Sequence, residues 1–126
     1  MRKVYFLLNF ILIFQSCSSD ENSSKSDFNV PQWLQGSWRQ AEGVTFNFTP
    51  NDICSTYAGE GQCQKQLIDF ARKGDMTVKV VEVITDNSYS AEIKYSNGQS
   101  TTYAFKKISN NSIEWTNATG SVFIKQ

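Results

Sequence analysis

The sequence predicts an all-β domain: a small antiparallel up-and-down β-barrel of about eight short strands, with one short helix between the third and fourth. Three observations lead there. Apolar and polar residues alternate in short runs, most clearly in Tyr89–Tyr95, where Tyr89, Ala91, Ile93 and Tyr95 share one face. Turn signals separate these runs, at Glu42-Gly43, Pro50-Asn51-Asp52, Asn97-Gly98, Ser109-Asn110-Asn111 and Asn117 to Gly120. A single stretch, Gln62 to Lys73, breaks the two-residue rhythm for a helical one. So many strands in a small domain must hide two faces and two edges. A barrel that pairs its last strand with its first does this, and a small sandwich is the rival.

The chain starts outside that domain. Arg2 and Lys3 precede an apolar run from Val4 to Phe14, interrupted only by Asn9. Eleven helical residues rise about 16 Å, too short for a hydrocarbon core of about 30 Å. A charged start, a short apolar centre and small residues at its end describe a cleaved secretory signal over residues 1–16. With Cys17 directly behind it, the segment resembles the signal of a bacterial lipoprotein. That resemblance implies cleavage before Cys17, lipid on its thiol and amine, and attachment to a membrane. Residues 17–30 are Ser-, Asn- and Asp-rich and predict a disordered tether. Asp20 and Glu21 resemble the acidic tag by which some Gram-negative bacteria send lipoproteins to the outer face of the outer membrane. An ordinary polar linker explains the same two acids. The folded domain is then 31–126.

From Pro31 the elements follow in order. Trp33-Leu34 and Gly36-Ser37-Trp38 bury large aromatic area around a glycine. Trp38–Ala41 and Val44–Thr49 make the first hairpin, with Val44, Phe46 and Phe48 on one face, and Ile53–Tyr57 follows as strand three. Cys63, Leu67, Phe70 and Ala71 fall on one helical face, closed by Arg72, Lys73 and Gly74. Met76 to Thr85 is a strand whose alternation slips at Val80-Val81: either it is covered on both faces or a β-bulge resets it, and the bulge is preferred because it leaves Lys79 and Glu82 both in water. The next hairpin offers a choice. A two-residue Asn97-Gly98 turn would mix the faces, whereas a three-residue loop over 96–98 pairs Ile93 with Thr101, Ala91 with Tyr103 and Tyr89 with Phe105. A one-residue slip exchanges the faces, so burial selects the longer loop. Ile113 and Trp115 then lie opposite Lys107 and Phe105, and Ser121–Lys125 is the terminal strand.

At Gly36-Ser37-Trp38 the domain resembles the lipocalins, which carry Gly-x-Trp on the way into strand one. The resemblance implies that Trp33-Leu34-Gln35 closes the barrel floor and that a basic residue, Lys125 here, packs over Trp38. The domain is shorter than a ligand-carrying lipocalin, and its helix lies mid-chain.

Composition narrows the function. The chain has 12 basic and 12 acidic residues, and removing Arg2 and Lys3 with the signal leaves a net charge of about −2. Nothing in that balance selects nucleic acid. There is no histidine, which excludes His-based acid–base catalysis, Ser-His and Cys-His nucleophiles, and His-ligated metals. Cys54 and Cys63 lie beyond an export signal, so a disulfide is the expectation, and no metal or other cofactor is implied. Glu60, Asp69 and Asp75 gather near the helix, but nothing sets two of them across a cleft, so no catalytic residue is assigned and no enzyme is expected. What remains is binding. Trp38, Phe46, Phe48, Tyr89, Tyr103, Phe105 and Trp115 either line a site for one small apolar ligand or simply fill the core. The alternative is a protein-facing module (inhibitor, immunity factor or accessory subunit), with contacts at Tyr57–Gln62, Asn97-Gly98 and Asn110-Asn111.

Overall fold

The structure, a computed structural model, describes residues 26–41, 43–118 and 121–126. The expected lipid site at Cys17, the expected signal over 1–16 and the first part of the expected tether lie outside the described residues. Nine antiparallel strands form one curled up-and-down sheet: β1 (Gly36–Arg39), β2 (Thr45–Thr49), β3 (Asp52–Tyr57), β4 (Glu60–Cys63), β5 (Val78–Ile84), β6 (Ser88–Tyr95), β7 (Ser100–Ser109), β8 (Ser112–Trp115) and β9 (Ser121–Lys125). Their order is β4-β3-β2-β1-β9-β8-β7-β6-β5, so the first and last strands do pair, with Trp38 opposite Lys125. The edges are β4 and β5, and the sheet is a half-barrel with its open side between them. Helix α1 (Gln64–Lys73) touches β3 and β4 on one side and β5 on the other, covering the opening.

The strand count exceeds the expected eight because Glu60–Cys63 pairs with β3. Ala58 (φ 54°) and Gly59 (φ 83°) form a two-residue turn with both central residues left-handed, which folds the chain straight back. Glu-Gly-Gln carries neither apolar alternation nor β-branched residues, so nothing local marks it as a strand. The helix therefore lies between strands four and five.

Elsewhere burial sets the register as expected. Tyr89 faces Phe105, Ala91 faces Tyr103 and Ile93 faces Thr101. The Gly98 amide donates to the Tyr95 carbonyl at 3.0 Å, and Gly98 at φ 94° closes the three-residue loop. Phe105 opposes Trp115 and Lys107 opposes Ile113.

Three expectations fail. No bulge interrupts β5: pairing runs unbroken from Val78–Tyr95 to Ile84–Tyr89. Val78, Val80 and Glu82 therefore share the inner side, and Val81 and Val83 face solvent. Glu82 is tolerated inside because three donors meet its carboxylate, as described below. The helix is also rolled relative to the expected face. Gln64 and Ile68 are buried, Leu67 is partly exposed, and Phe70 is 78% exposed. The reason lies one residue earlier, since Cys63 is extended (φ −115°, ψ 139°) and belongs to β4 instead of the first helical turn. Finally, the tether expected over 17–30 stops short of the domain boundary. Phe28 and Val30 are 1% and 5% exposed and belong to the core.

Antiparallel turns alternate between the two ends of the sheet. At the floor lie a short 3-10 turn (Gln32–Leu34), the turns 50–51, 85–87 and 110–111, and the start of α1. At the rim lie the turns 58–59 and 96–98 and the C-terminal end of α1. Trp38 is anchored to the floor by its indole N–H, which donates to the Leu34 carbonyl at 2.7 Å. Lys125 Nζ sits 5.4 Å from the Trp38 ring centroid, the place expected of a basic residue. Gly36 has φ 115°, and a Cβ there would stand 3.2 Å from Lys125 Cε, so strand one begins at a residue without a side chain.

Candidate functional site

The seven aromatic residues expected to line a ligand site fall into the core. Trp38, Phe46, Phe48, Tyr89 and Phe105 are buried, and Tyr103 and Trp115 are half-buried. Phe46 is the centre, because β2 presents its inner face to β7, β8 and β9 across the curl. Its ring lies 5.0–5.6 Å from those of Trp115, Phe105, Phe123 and Phe48, and 6.2 Å from Tyr103. Edge-to-face contacts at these spacings are the preferred aromatic packing. The space between the strands is thus taken by side chains of the protein itself. Phe123 belongs to this cluster and was not among the expected residues, because Val122-Phe123-Ile124 is a continuous apolar run in which no alternation marks the inward residue.

The disulfide expected between Cys54 and Cys63 is present, and it links directly opposed residues of β3 and β4. Beside it, Asp52 Oδ1 accepts the backbone N–H of Ile53 at 2.8 Å and that of Lys65 at 2.9 Å. Cys63 supplies no side-chain cap to α1. Asp52 does so from another strand, placing a carboxylate where the helix dipole favours it. Asp52, Cys54 and Cys63 are close enough to suggest a metal triad. Their chemistry argues otherwise, since the sulfurs are bonded to each other and the carboxylate is engaged by backbone donors. Glu60, Asp69 and Asp75 are exposed and stand on β4, on α1 and beyond its C-terminus.

Residues Ser26–Val30 form a strap that sequence reasoning missed. It runs along the opening from rim to floor. At the rim, Arg72 makes two 2.9 Å bonds to the Asp27 carboxylate and a 3.0 Å bond to the Val78 carbonyl. Midway, Glu82 accepts the Asn29 backbone N–H at 2.7 Å, its side-chain amide at 3.0 Å and the Tyr89 hydroxyl at 2.6 Å. At the floor the Val30 amide donates to the Pro50 carbonyl at 3.0 Å. Burial, with the Glu82 bond and charge behind it, drives the pKa of Tyr89 far above the usual 10.0. Burial also raises that of Tyr103, whose hydroxyl accepts from the Gln64 amide at 2.8 Å. The Arg72 guanidinium is raised chiefly by its bond to Asp27. The missed signal was Phe28-Asn29-Val30, a single apolar alternation submerged in a polar run.

At the rim, the C-terminal end of α1 and the β6–β7 hairpin enclose an apolar groove of about 420 Å³. Phe70, Ala71, Met76 and Tyr95 line it, with Lys73 and Gln99 at its margin. Of the three expected contact points, Tyr57–Gln62 and Asn97-Gly98 lie at the rim with this groove, and Asn110-Asn111 lies at the floor.

No family model matches this chain, nor does any curated protein or solved structure.

Proposed function

We propose that this chain is a lipid-anchored, non-catalytic protein of the cell envelope whose domain acts through its surface as a protein-interaction module. The observation that carries the reading is the filled interior. Phe46 and its aromatic neighbours occupy the space a small apolar ligand would need, which leaves the turns and the groove at the rim for recognition. The anchor part rests on residues 1–17: a charged start, an apolar run too short to span, and Cys17 at its end. The Cys54–Cys63 bond supports export to an oxidising compartment and leaves Cys17 without a disulfide partner in the chain. Acylation on both thiol and amine would make attachment to the outer membrane of a Gram-negative cell effectively permanent.

Two measurements test it. Cys17→Ser should move the protein from membranes into the soluble envelope fraction, and retention in membranes refutes the anchor. Cross-linked membranes of cells producing the native chain should yield one stoichiometric protein partner. Saturable quenching of core tryptophans by an apolar fluorophore, with no partner recovered, would restore the interior-ligand reading instead.

A further inference from the structure

We propose that the groove under the strap is a peptide-recognition site whose resident occupant, Ser26–Val30, gives way to an extended partner segment of the same chemistry. The segment it fits carries a carboxylate, an aromatic ring and a carboxamide at successive positions, as Asp27-Phe28-Asn29 does. This deepens the reading of the domain as a protein-interaction module and rests on it, but it does not depend on Cys17.

The groove is built independently of the strap. The two side chains that grip the strap from α1 and β5 are each also held by a bond the strap does not make. Arg72 donates to the Val78 carbonyl at 3.0 Å while it grips Asp27. Glu82 accepts the Tyr89 hydroxyl at 2.6 Å while it takes the backbone and side-chain N–H groups of Asn29. Pro50, whose carbonyl takes the Val30 amide, sits in the turn fixed by the pairing of Thr49 with Asp52. Without the strap, a cation at the rim, a carboxylate midway and a carbonyl at the floor would still stand in order, beside the apolar slot that Phe28 fills. Groups fixed before binding reduce what binding must order.

The strap, by contrast, is lightly tied. Among the described residues it makes one main-chain hydrogen bond to the rest of the domain, from Val30 to Pro50. The Phe28 amide is satisfied within the strap, by Ser26 Oγ at 3.1 Å. No ladder joins it to β5, and the Asp27–Arg72 pair at its rim end is open to solvent. Its floor end is the hinge, where the Gln35 side-chain amide also donates to the Val30 carbonyl at 3.1 Å. Lifting it from the rim draws no strand out of the sheet, because β1 starts beyond the Gln32–Leu34 turn. Segments held this way open locally while the strands beside them stay paired. What keeps it closed is chiefly the burial of Phe28 and Val30, which a partner segment with the same side chains reproduces. A partner prevails by adding contacts at the turns and the rim groove that five residues do not make.

The probe is a labelled, capped peptide of the strap's own sequence, Ser-Asp-Phe-Asn-Val-Pro, titrated by fluorescence anisotropy into the soluble chain carrying Cys17→Ser. The closed strap lowers apparent affinity by the fraction of time it is open. Phe28→Ala, which leaves the slot unfilled, should therefore bind the peptide at least about tenfold more tightly than the chain with Phe28 intact. A peptide with alanine in place of its phenylalanine should not saturate. No saturable binding to folded Phe28→Ala, or equal affinity with and without Phe28, overturns the proposal. Should Phe28→Ala fail to fold, hydrogen exchange on the chain with Phe28 intact decides. The Asn29 and Val30 amides should exchange at least about ten times faster than those of Tyr89, Ala91 and Ile93 in β6. Equal rates make the strap a fixed part of the core and overturn the proposal. Dimerisation of the soluble chain that the peptide undoes gives the groove to a second copy and overturns the choice of partner. A cross-linked membrane partner that the peptide does not displace overturns the groove but leaves the interaction module standing.

Discussion

Replacing Phe28 with alanine should destabilise the domain by about 3–5 kcal/mol, the usual loss for a phenylalanine removed from a core. The side chain is 1% exposed and packs among core residues of the half-barrel. The loss has a ceiling, because the strap can peel away once its anchor is gone. What else holds it is modest. The Asp27–Arg72 pair has side chains 26% and 41% exposed, so solvent screening keeps it below about 1 kcal/mol. Val30 and the Asn29–Glu82 bonds add to that, against the entropy of ordering five residues. The expected loss is therefore at the low end, about 3 kcal/mol. Urea unfolding followed by tryptophan emission, in the soluble chain carrying Cys17→Ser, measures it. With a slope of about 1.5 kcal/mol/M for a domain of this size, the midpoint should fall by about 2 M. A shift below about 0.3 M with an unchanged slope would show that residues 26–30 are a tether after all.

Asp52→Ala should remove the cap on α1 at a cost of about 1 kcal/mol, read as a loss of helical hydrogen-exchange protection that starts at Lys65. Replacing Cys54 and Cys63 together by serine should cost about 2–3 kcal/mol from loop closure across nine residues, and reducing agent should then no longer move the unfolding midpoint. Alkali should destabilise the domain through Tyr89, which is buried, and Tyr103, which is half-buried. Their folded pKa values lie above the usual 10.0, so stability is full below pH 10 and falls as the unfolded chain ionises first. Each contributes up to about 1.4 kcal/mol per pH unit, so Tyr103→Phe should flatten the decline of thermal midpoint above pH 10; an unchanged slope would show that Tyr103 is not shielded.

The parts of this fold that the sequence made legible are those where burial and local pattern agree. Tyr89, Ala91 and Ile93 had to share a face with Tyr103 and Phe105, and that requirement overruled the preference of Asn97-Gly98 for a tighter turn. Cys54 and Cys63 were paired by counting cysteines against compartment. The chain's lack of histidine already removed whole classes of chemistry. Misreadings came where a local pattern suited two arrangements. Leu67 and Phe70 repeat at helical spacing as well as Gln64 and Ile68 do, and spacing by itself does not say which of the two faces the core takes. Val80-Val81 looked like a bulge because Glu82 was assumed to need water.

Only the tertiary structure could show that Asn29 and Tyr89, 53 and 7 residues from Glu82, bring donors enough to keep it inside. The same holds for Asp52 capping a helix from another strand, and for Phe28 finding its place in the open side of the half-barrel. The sequence by itself determined the all-β class and the register of the central hairpin. These follow from composition, periodicity and nearest-neighbour pairing, all of which are local. The filled interior, the strap and the outward turn of Phe70 were decided by which side chains together best fill a shared space. That competition involves residues far apart in the chain, and no window of sequence contains it.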